Sequence, residues 1–310
     1  MFFTSSLFFV GLYILVKGAN TLIAGASSFA RRLRVSPIVI GLLITGIGTS
    51  IPEFSITVLA NFIGQSDIGI GAIVGSNTFN ILFILGISAL LFPLKFKKEW
   101  IYRDFIWNIF AVIIVIMLSL NGVISRLDGL ILISLFIVWL ILISRHEEAP
   151  DGDEKPLPSL SVPLSVGMIL AGIAGVLLGA SFVVDGAVAI AKDIGVSEAL
   201  IGLTIVGMST SLPELTVSLV AAFRREPAIA LGNIIGSNIF DFLGILGLGA
   251  IIKPIIFPSE LIPDVFVTLL ATFVLLLTMF LGKRYVLTRL QGFIFVLLFL
   301  SYLTYVFFRG

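Results

Sequence analysis

The sequence predicts an all-α integral membrane protein of ten transmembrane helices, built as two inverted five-helix repeats. Three observations predict it: an apolar composition, ten apolar runs of membrane-spanning length, and one polar signature that occurs twice. Hydrophobic residues are 58% of the 310 residues and charged residues 12%, with a mean hydropathy of +1.18. No single soluble core hides that much apolar surface. A bilayer-crossing helix needs about 20 apolar residues. Such runs fall at 7–29, 37–63, 69–92, 102–121, 127–145, 161–191, 197–223, 228–252, 262–282 and 286–308. The first carries Lys17 and several glycines, with no small-residue cleavage site before a polar mature domain, so it is expected to stay as a helix.

The duplicated signature is Gly48-Thr49-Ser50-Ile51-Pro52-Glu53 with Gly75-Ser76-Asn77-Thr78-Phe79-Asn80, then Ser209-Thr210-Ser211-Leu212-Pro213-Glu214 with Gly236-Ser237-Asn238-Ile239-Phe240-Asp241. Thr49 and Thr210, Glu53 and Glu214, Ser76 and Ser237, and Asn80 and Asp241 all stand 161 positions apart. The same offset pairs Gly11 with Gly172, Gly18 with Gly179, Gly25 with Gly186, Ser36 with Ser197, Gly41 with Gly202, Gly86 with Gly247 and Pro93 with Pro254. Such a register marks a duplicated unit. The expected division is a first repeat at 1–146, a short polar linker at 147–160 and a second repeat at 161–310.

Positive charge sets the expected orientation. One set of helix ends carries Arg31, Arg32, Arg34, Lys95, Lys97, Lys98, Arg103, Arg145, Lys155, Arg224, Arg225, Lys283, Arg284 and Arg289; the other carries only Arg126, Lys192, Lys253 and Arg309. The richer side, with the central linker, is expected to be cytoplasmic, with both termini extracellular. Five helices per repeat is an odd number, so the second repeat enters from the opposite face and the two are inverted.

Carboxylates inside hydrocarbon are costly and point to function. At i, i+4 spacing, Thr49 and Glu53, Ser76 and Asn80, Thr210 and Glu214, and Ser237 and Asp241 each share a helix face. Pro52 and Pro213 lack an amide hydrogen and are expected to kink their helices near Gly48 and Ser209, freeing backbone carbonyls. Gly46 and Gly207 lie in those stretches and let an ion or a helix approach the backbone. The inverted halves are expected to bring four oxygen-rich segments together at the midplane. Oxygen ligands of this kind suit hard cations such as calcium, whereas zinc or copper recruit imidazole or thiolate. The chain has no cysteine, and its one histidine, His146, borders the linker. Glu53, Glu214 and Asp241 in one low-dielectric cavity need compensation, by one divalent ion with or without a proton, or by several monovalent ions. Those occupants exclude one another, which is the physical basis of exchange.

The paired motifs are similar to those of the sodium/calcium exchangers of the calcium:cation antiporter superfamily, in their prokaryotic form, and the resemblance spans essentially the whole chain. It implies Ca2+ and Na+ as transported ions, with ligand roles for Thr49, Ser50, Glu53, Ser76, Asn80, Thr210, Ser211, Glu214, Ser237 and Asp241. It further implies carbonyl ligands at Gly46 and Gly207, and a first and sixth helix that slide across the remainder to alternate access. The chain departs from the family pattern in three ways. Ser209 replaces a glycine, the linker is too short for a calcium-sensing domain, and Asp241 in place of Asn leaves room for H+ or K+.

Gly11, Gly18 and Gly25, like Gly172, Gly179 and Gly186, recur every seven residues and form a stripe along each helix. Such a stripe serves either slippage or static close packing. The acidic linker from His146 to Glu154 lacks the full EF-hand pattern and reads as solvated chain. Asp128 and Asp185 sit near membrane ends as interfacial or pairing residues. No Walker phosphate loop, no cofactor motif and no basic nucleic-acid-binding domain are present, and no obligatory protein partner is evident beyond membrane lipid. Two other classes stay in view. An intramembrane acid hydrolase lacks HExxH and a Ser/His couple. A cation channel needs weak multi-site binding along a continuous pore, whereas kinked inverted repeats favour a secondary antiporter.

Overall fold

The computed structural model describes residues 2–33, 35–144, 160–193 and 208–309. The first half contains α1 (Phe2–Leu33), α2 (Pro37–Ile40), a π-helical stretch at Gly41–Gly46, α3 (Ile47–Thr49), α4 (Ile51–Ile63) and α5 (Ser66–Phe79). A second π-helical stretch, Asn80–Ile84, leads into α6 (Leu85–Leu91), then β1 (Leu94–Lys95) and α7 (Lys98–Trp100). A third, Ile101–Phe105, precedes α8 (Ile106–Ser119), β2 (Val123–Ile124) and α9 (Arg126–Ser144). The second half contains α10 (Val162–Asp193), α11 (Leu212–Phe223), α12 (Pro227–Ile239), a π-helical stretch at Phe240–Ile245 and α13 (Leu246–Ile252). It ends with β3 (Ile255–Ile256), α14 (Ile262–Thr278), β4 (Val286–Leu287) and α15 (Arg289–Arg309).

Among the described residues, eight helices are long and apolar enough to cross a bilayer, or nine if the bent pair Ile38–Thr49 and Ile51–Ile63 forms one span. The chain is therefore an all-α, multi-pass membrane protein. The expected seventh run, 197–223, is described only from residue 208, as a turn followed by α11. His146, Gly207 and nearly all of the linker lie outside the described residues.

The contacts divide the chain into two compact units that each draw on both sequence halves: residues 1–52 with 146–233, and residues 53–145 with 234–310. In the first unit, α1 and α10 pack antiparallel. A Cβ added to Gly179 would lie 2.4 Å from the Leu15 nitrogen, one on Gly172 2.5 Å from that of Leu22, and one on Gly186 2.7 Å from that of Phe8. Reciprocally, Gly11, Gly18 and Gly25 abut Phe182, Val176 and Met168. The contacts exchange partners under the 161-residue offset: Gly18 on Val176 recurs as Gly179 on Leu15. Both glycine stripes therefore face the partner helix and let the two backbones close on each other. Leu15, Leu22, Val176 and Val183 fill the seam, and Val217, Ala221 and Ile229 of α11 and α12 extend the same core. Gly41 meets Gly232 in the same way, pressing the first π-helical stretch against α12.

The second unit repeats this logic. Gly86 of α6 packs on Gly292 of α15, and Gly129 of α9 on Gly247 of α13. Two antiparallel bridges close its loops, Leu94 opposite Leu287 and Val123 opposite Ile256. Each bridge joins one sequence half to the other, as the glycine pairs do. Helix α9 starts with a capping box: Asp128 accepts from the Ser125 amide at 2.8 Å while Ser125 Oγ accepts from the Asp128 amide. Thr288 and Gln291 form the same box at α15. Asp128 thus serves as a cap, and Asp185 is exposed on α10. Buried Asp264 on α14 is held by the Tyr302 hydroxyl at 2.8 Å and the Arg309 guanidinium at 2.8 Å, which ties the end of α15 to α14. A buried carboxylate is tolerated when paired in this way.

Candidate functional site

The first motif copy spans a break between two helices, and the second leads from a turn into a helix start. Helix α3 ends at Thr49, Ser50 takes φ −80° and ψ 11°, and α4 restarts at Ile51 with a bend of 47° at the break. In the second copy Ser211 takes φ −86° and ψ 4°, and α11 starts at Leu212. Pro52 and Pro213 each occupy the second position of the new helix, where a missing amide hydrogen costs no intrahelical bond. Glu53 and Glu214 thereby fall in the first turn. The positive helix end offsets part of the cost of burying a carboxylate there.

Of the predicted ligands, the first unit holds Thr49, Ser50, Thr210, Ser211 and Glu214, all buried. The Ser50 hydroxyl donates to Glu214 Oε1 at 3.4 Å, so the two motif copies meet here. Thr49 Oγ1 lies 2.9 Å from the Thr45 carbonyl and 3.2 Å from that of Gly46. Gly46 closes the π-helical stretch, and its carbonyl also accepts from the Ser50 amide at 3.2 Å.

The second unit holds Glu53, Ser76, Asn80, Ser237 and Asp241, again buried. Asn80 opens one π-helical stretch and Asp241 is the second residue of another; such wide turns recur at functional sites because they shift side chains and free carbonyls. Asn77 Nδ2 donates to Asp241 Oδ2 at 2.8 Å, and Asn80 Nδ2 donates to Asn238 Oδ1 at 3.0 Å. These are one contact made twice, because the offset maps Asn77 to Asn238 and Asn80 to Asp241. The donor direction reverses between them since a carboxylate only accepts. Ser76 Oγ donates to the Ile73 carbonyl at 3.0 Å. Among the described residues, neither unit gathers three acidic or imidazole groups into a metal cage.

Motif reading missed several residues of these clusters. Asn77 and Asn238 clamp side chains in the first two positions of the π-helical stretches, and their place inside the GSN triplets was the available signal. Thr57 Oγ1 reaches the Gly69 carbonyl at 3.2 Å, and the equivalent Ser218 reaches the Ala230 carbonyl at 3.5 Å, tying each motif helix to the next. Asn233 joins the first-unit cluster through Thr49, Glu214 and Ser218. Its equivalent position is Ala72, so the repeat gives no sign of it.

A multi-pass helical protein in which a helix break and the starts of new helices carry buried hydroxyls, amides and carboxylates belongs to the class of membrane transporters. The comparisons narrow that class. The model of the family described as sodium/calcium exchanger protein matches residues 4–145 and 164–308. CaxA of Alkalimonas amylolytica is 38% identical over 304 residues, covering 94% of this chain and 95% of that protein. The sodium/calcium exchanger MaX1 of Methanosarcina acetivorans is 27% identical over 342 residues, covering 96% and 97%. The structure of the sodium-calcium exchanger NCX_Mj, soaked with Na+ and Sr2+, superposes with a TM-score of 0.85 at 33% identity, covering 98% of this chain and 99% of that one. The chain belongs to the sodium/calcium exchanger family, a family of transporters rather than enzymes.

Proposed function

We propose that the chain is a secondary antiporter that exchanges Ca2+ for Na+ by alternating access, at a site to which both motif copies contribute. The observation that carries the reading is the pairwise meeting of the copies, Ser50 with Glu214 and Asn77 with Asp241, each pair buried among other oxygen donors. Thr49, Ser50, Thr210, Ser211 and Glu214 supply one ligand set, and Glu53, Ser76, Asn80, Ser237 and Asp241 the other, with carbonyls of Gly46 and Gly207. Carboxylates neutralised by one divalent ion are equally neutralised by monovalent ions, and the two cannot bind together. A gradient of one then drives the other.

The reading includes ten spans in two inverted repeats, with the termini extracellular and the linker cytoplasmic. The partner-swapping contacts of α1 with α10 support the inversion, and the excess of Arg and Lys on one set of helix ends supports the orientation. The close backbone contact of α1 with α10 favours their moving as one body. Asp241 opposite Asn80 is the observation that favours a second reading, in which H+ or K+ takes part. Purified protein in liposomes tests both. Calcium loaded inside should leave on addition of external Na+ and stay when choline replaces it; efflux indifferent to Na+ but driven by K+ or a proton gradient would move the assignment to the second reading.

A further inference from the structure

Asn233, fully buried on α12, belongs to no predicted ligand set, yet its geometry is fixed from three sides. Its Nδ2 donates to the Glu214 carbonyl at 3.2 Å and to Ser218 Oγ at 3.0 Å. Both amide hydrogens are thereby used, and that determines which way the amide faces. Oδ1 is left pointing at Thr49 Oγ1, 3.3 Å away. A threonine hydroxyl has one proton, and the Thr45 carbonyl at 2.9 Å is a nearer acceptor within the same helix. Oδ1 and Oγ1 then face each other as two lone-pair donors. For oxygens about 2.4 Å from a hard cation, neighbours at right angles stand about 3.4 Å apart, close to the spacing found.

We propose that Asn233 Oδ1 is a ligand of a small monovalent cation bound with Thr49 Oγ1 and the Gly46 carbonyl in the first unit. All three oxygens are neutral, so the charge they offer suits a singly charged ion better than a divalent one. Because the equivalent position is Ala72, the second sequence half carries a monovalent ligand on α12 that the first half lacks on α5, and the two copies bind unequally.

The proposal rests on the exchange reading but is tested separately from it. In purified protein free of calcium, thermal stabilisation by NaCl over choline chloride measures sodium binding with no transport step. Asn233→Ala should raise the half-saturating sodium at least about 10-fold, a loss of about 1.4 kcal/mol, and lower the Hill coefficient for sodium. Half-saturating calcium, measured in the same way, should rise less than about 3-fold. Asn233→Ser, which keeps an oxygen, should fall between Asn233→Ala and the native protein and serves if the alanine variant fails to fold. Unchanged sodium affinity in either variant, or sodium and calcium weakened to the same degree, overturns the proposal and leaves Asn233 a structural clamp. Failure of exchange itself would show instead as native protein that binds sodium but moves no calcium against it.

Discussion

The two oxygen-rich clusters use the same duplicated motif in different chemical ways. In the first unit the contacts are hydroxyl to carboxylate and hydroxyl to amide, Ser50 to Glu214 and Thr49 to Asn233, beside helix breaks. In the second they are amide to carboxylate and amide to amide, Asn77 to Asp241 and Asn80 to Asn238, beside π-helical turns. The second cluster keeps the exchange symmetry of the repeat apart from one atom type, Asp241 for Asn80. The first departs from it through Asn233, which stands where the other copy has Ala72. Duplication therefore fixed the scaffold, and single substitutions on it differentiated the two clusters.

The largest expected effect is that of the carboxylates, one from each cluster. Glu214→Gln and Glu53→Gln remove a charge at nearly constant volume, so each should cut calcium-dependent transport more than about 100-fold while the protein stays monodisperse in detergent. Calcium uptake within a few-fold of native in either variant would remove that cluster from the ligand set. Next come the amide clamps. Asn77→Ala removes one orienting donor from Asp241, and a loss of calcium affinity of about 10–100-fold is expected. Asn238→Ala removes the partner of neutral Asn80 and a long 3.5 Å bond to the Asn77 carbonyl, and should cost less in the same uptake assay. Equal losses would mean that Asp241 and Asn80 contribute alike.

A smaller effect separates packing from chemistry. Gly179→Ala places a methyl 2.4 Å from the Leu15 backbone nitrogen, where only backbone can yield. A destabilisation of about 1–3 kcal/mol is expected from overpacking, read as a lower midpoint in thermal unfolding. Alanine at Gly75, where a Cβ meets nothing within 4 Å, is the matched control and should leave the midpoint in place. Smallest in stability is expected to be Asp241→Asn, which nearly conserves volume, keeps an oxygen to accept from Asn77 and makes the second cluster chemically symmetric. Its effect should appear in the monovalent ion dependence of calcium flux, and an identical dependence on Na+, K+ and pH would show the asymmetry to be silent. In the native protein, calcium uptake should weaken as pH falls, because protons compete for the same carboxylates.

The membrane class and both motif copies were legible because apolar length and a constant offset survive without any knowledge of packing. The capping boxes at Ser125 and Thr288 follow from short-range spacing and were equally available. The π-helical stretches were not: Asn80–Ile84 and Phe240–Ile245 have the composition of any buried helix, and one extra residue per turn leaves no periodic trace in so short a segment. Asn233 escaped because a search by repeat finds only what both copies share. The glycine stripes were seen, but which surface they faced was not. Helical spacing defines a face and cannot say that α1 and α10 turn those faces on each other. The grouping into two units that each mix both halves also lies beyond sequence, since it depends on contacts between residues more than a hundred positions apart.

Calcium flux in proteoliposomes under an imposed sodium gradient is the most direct test. Calcium should accumulate against its own gradient when sodium runs down in the opposite direction, and accumulation should cease in both Glu53→Gln and Glu214→Gln. Calcium that only equilibrates, with or without sodium, or accumulation that persists when both carboxylates are neutralised, would contradict exchange at the duplicated motif.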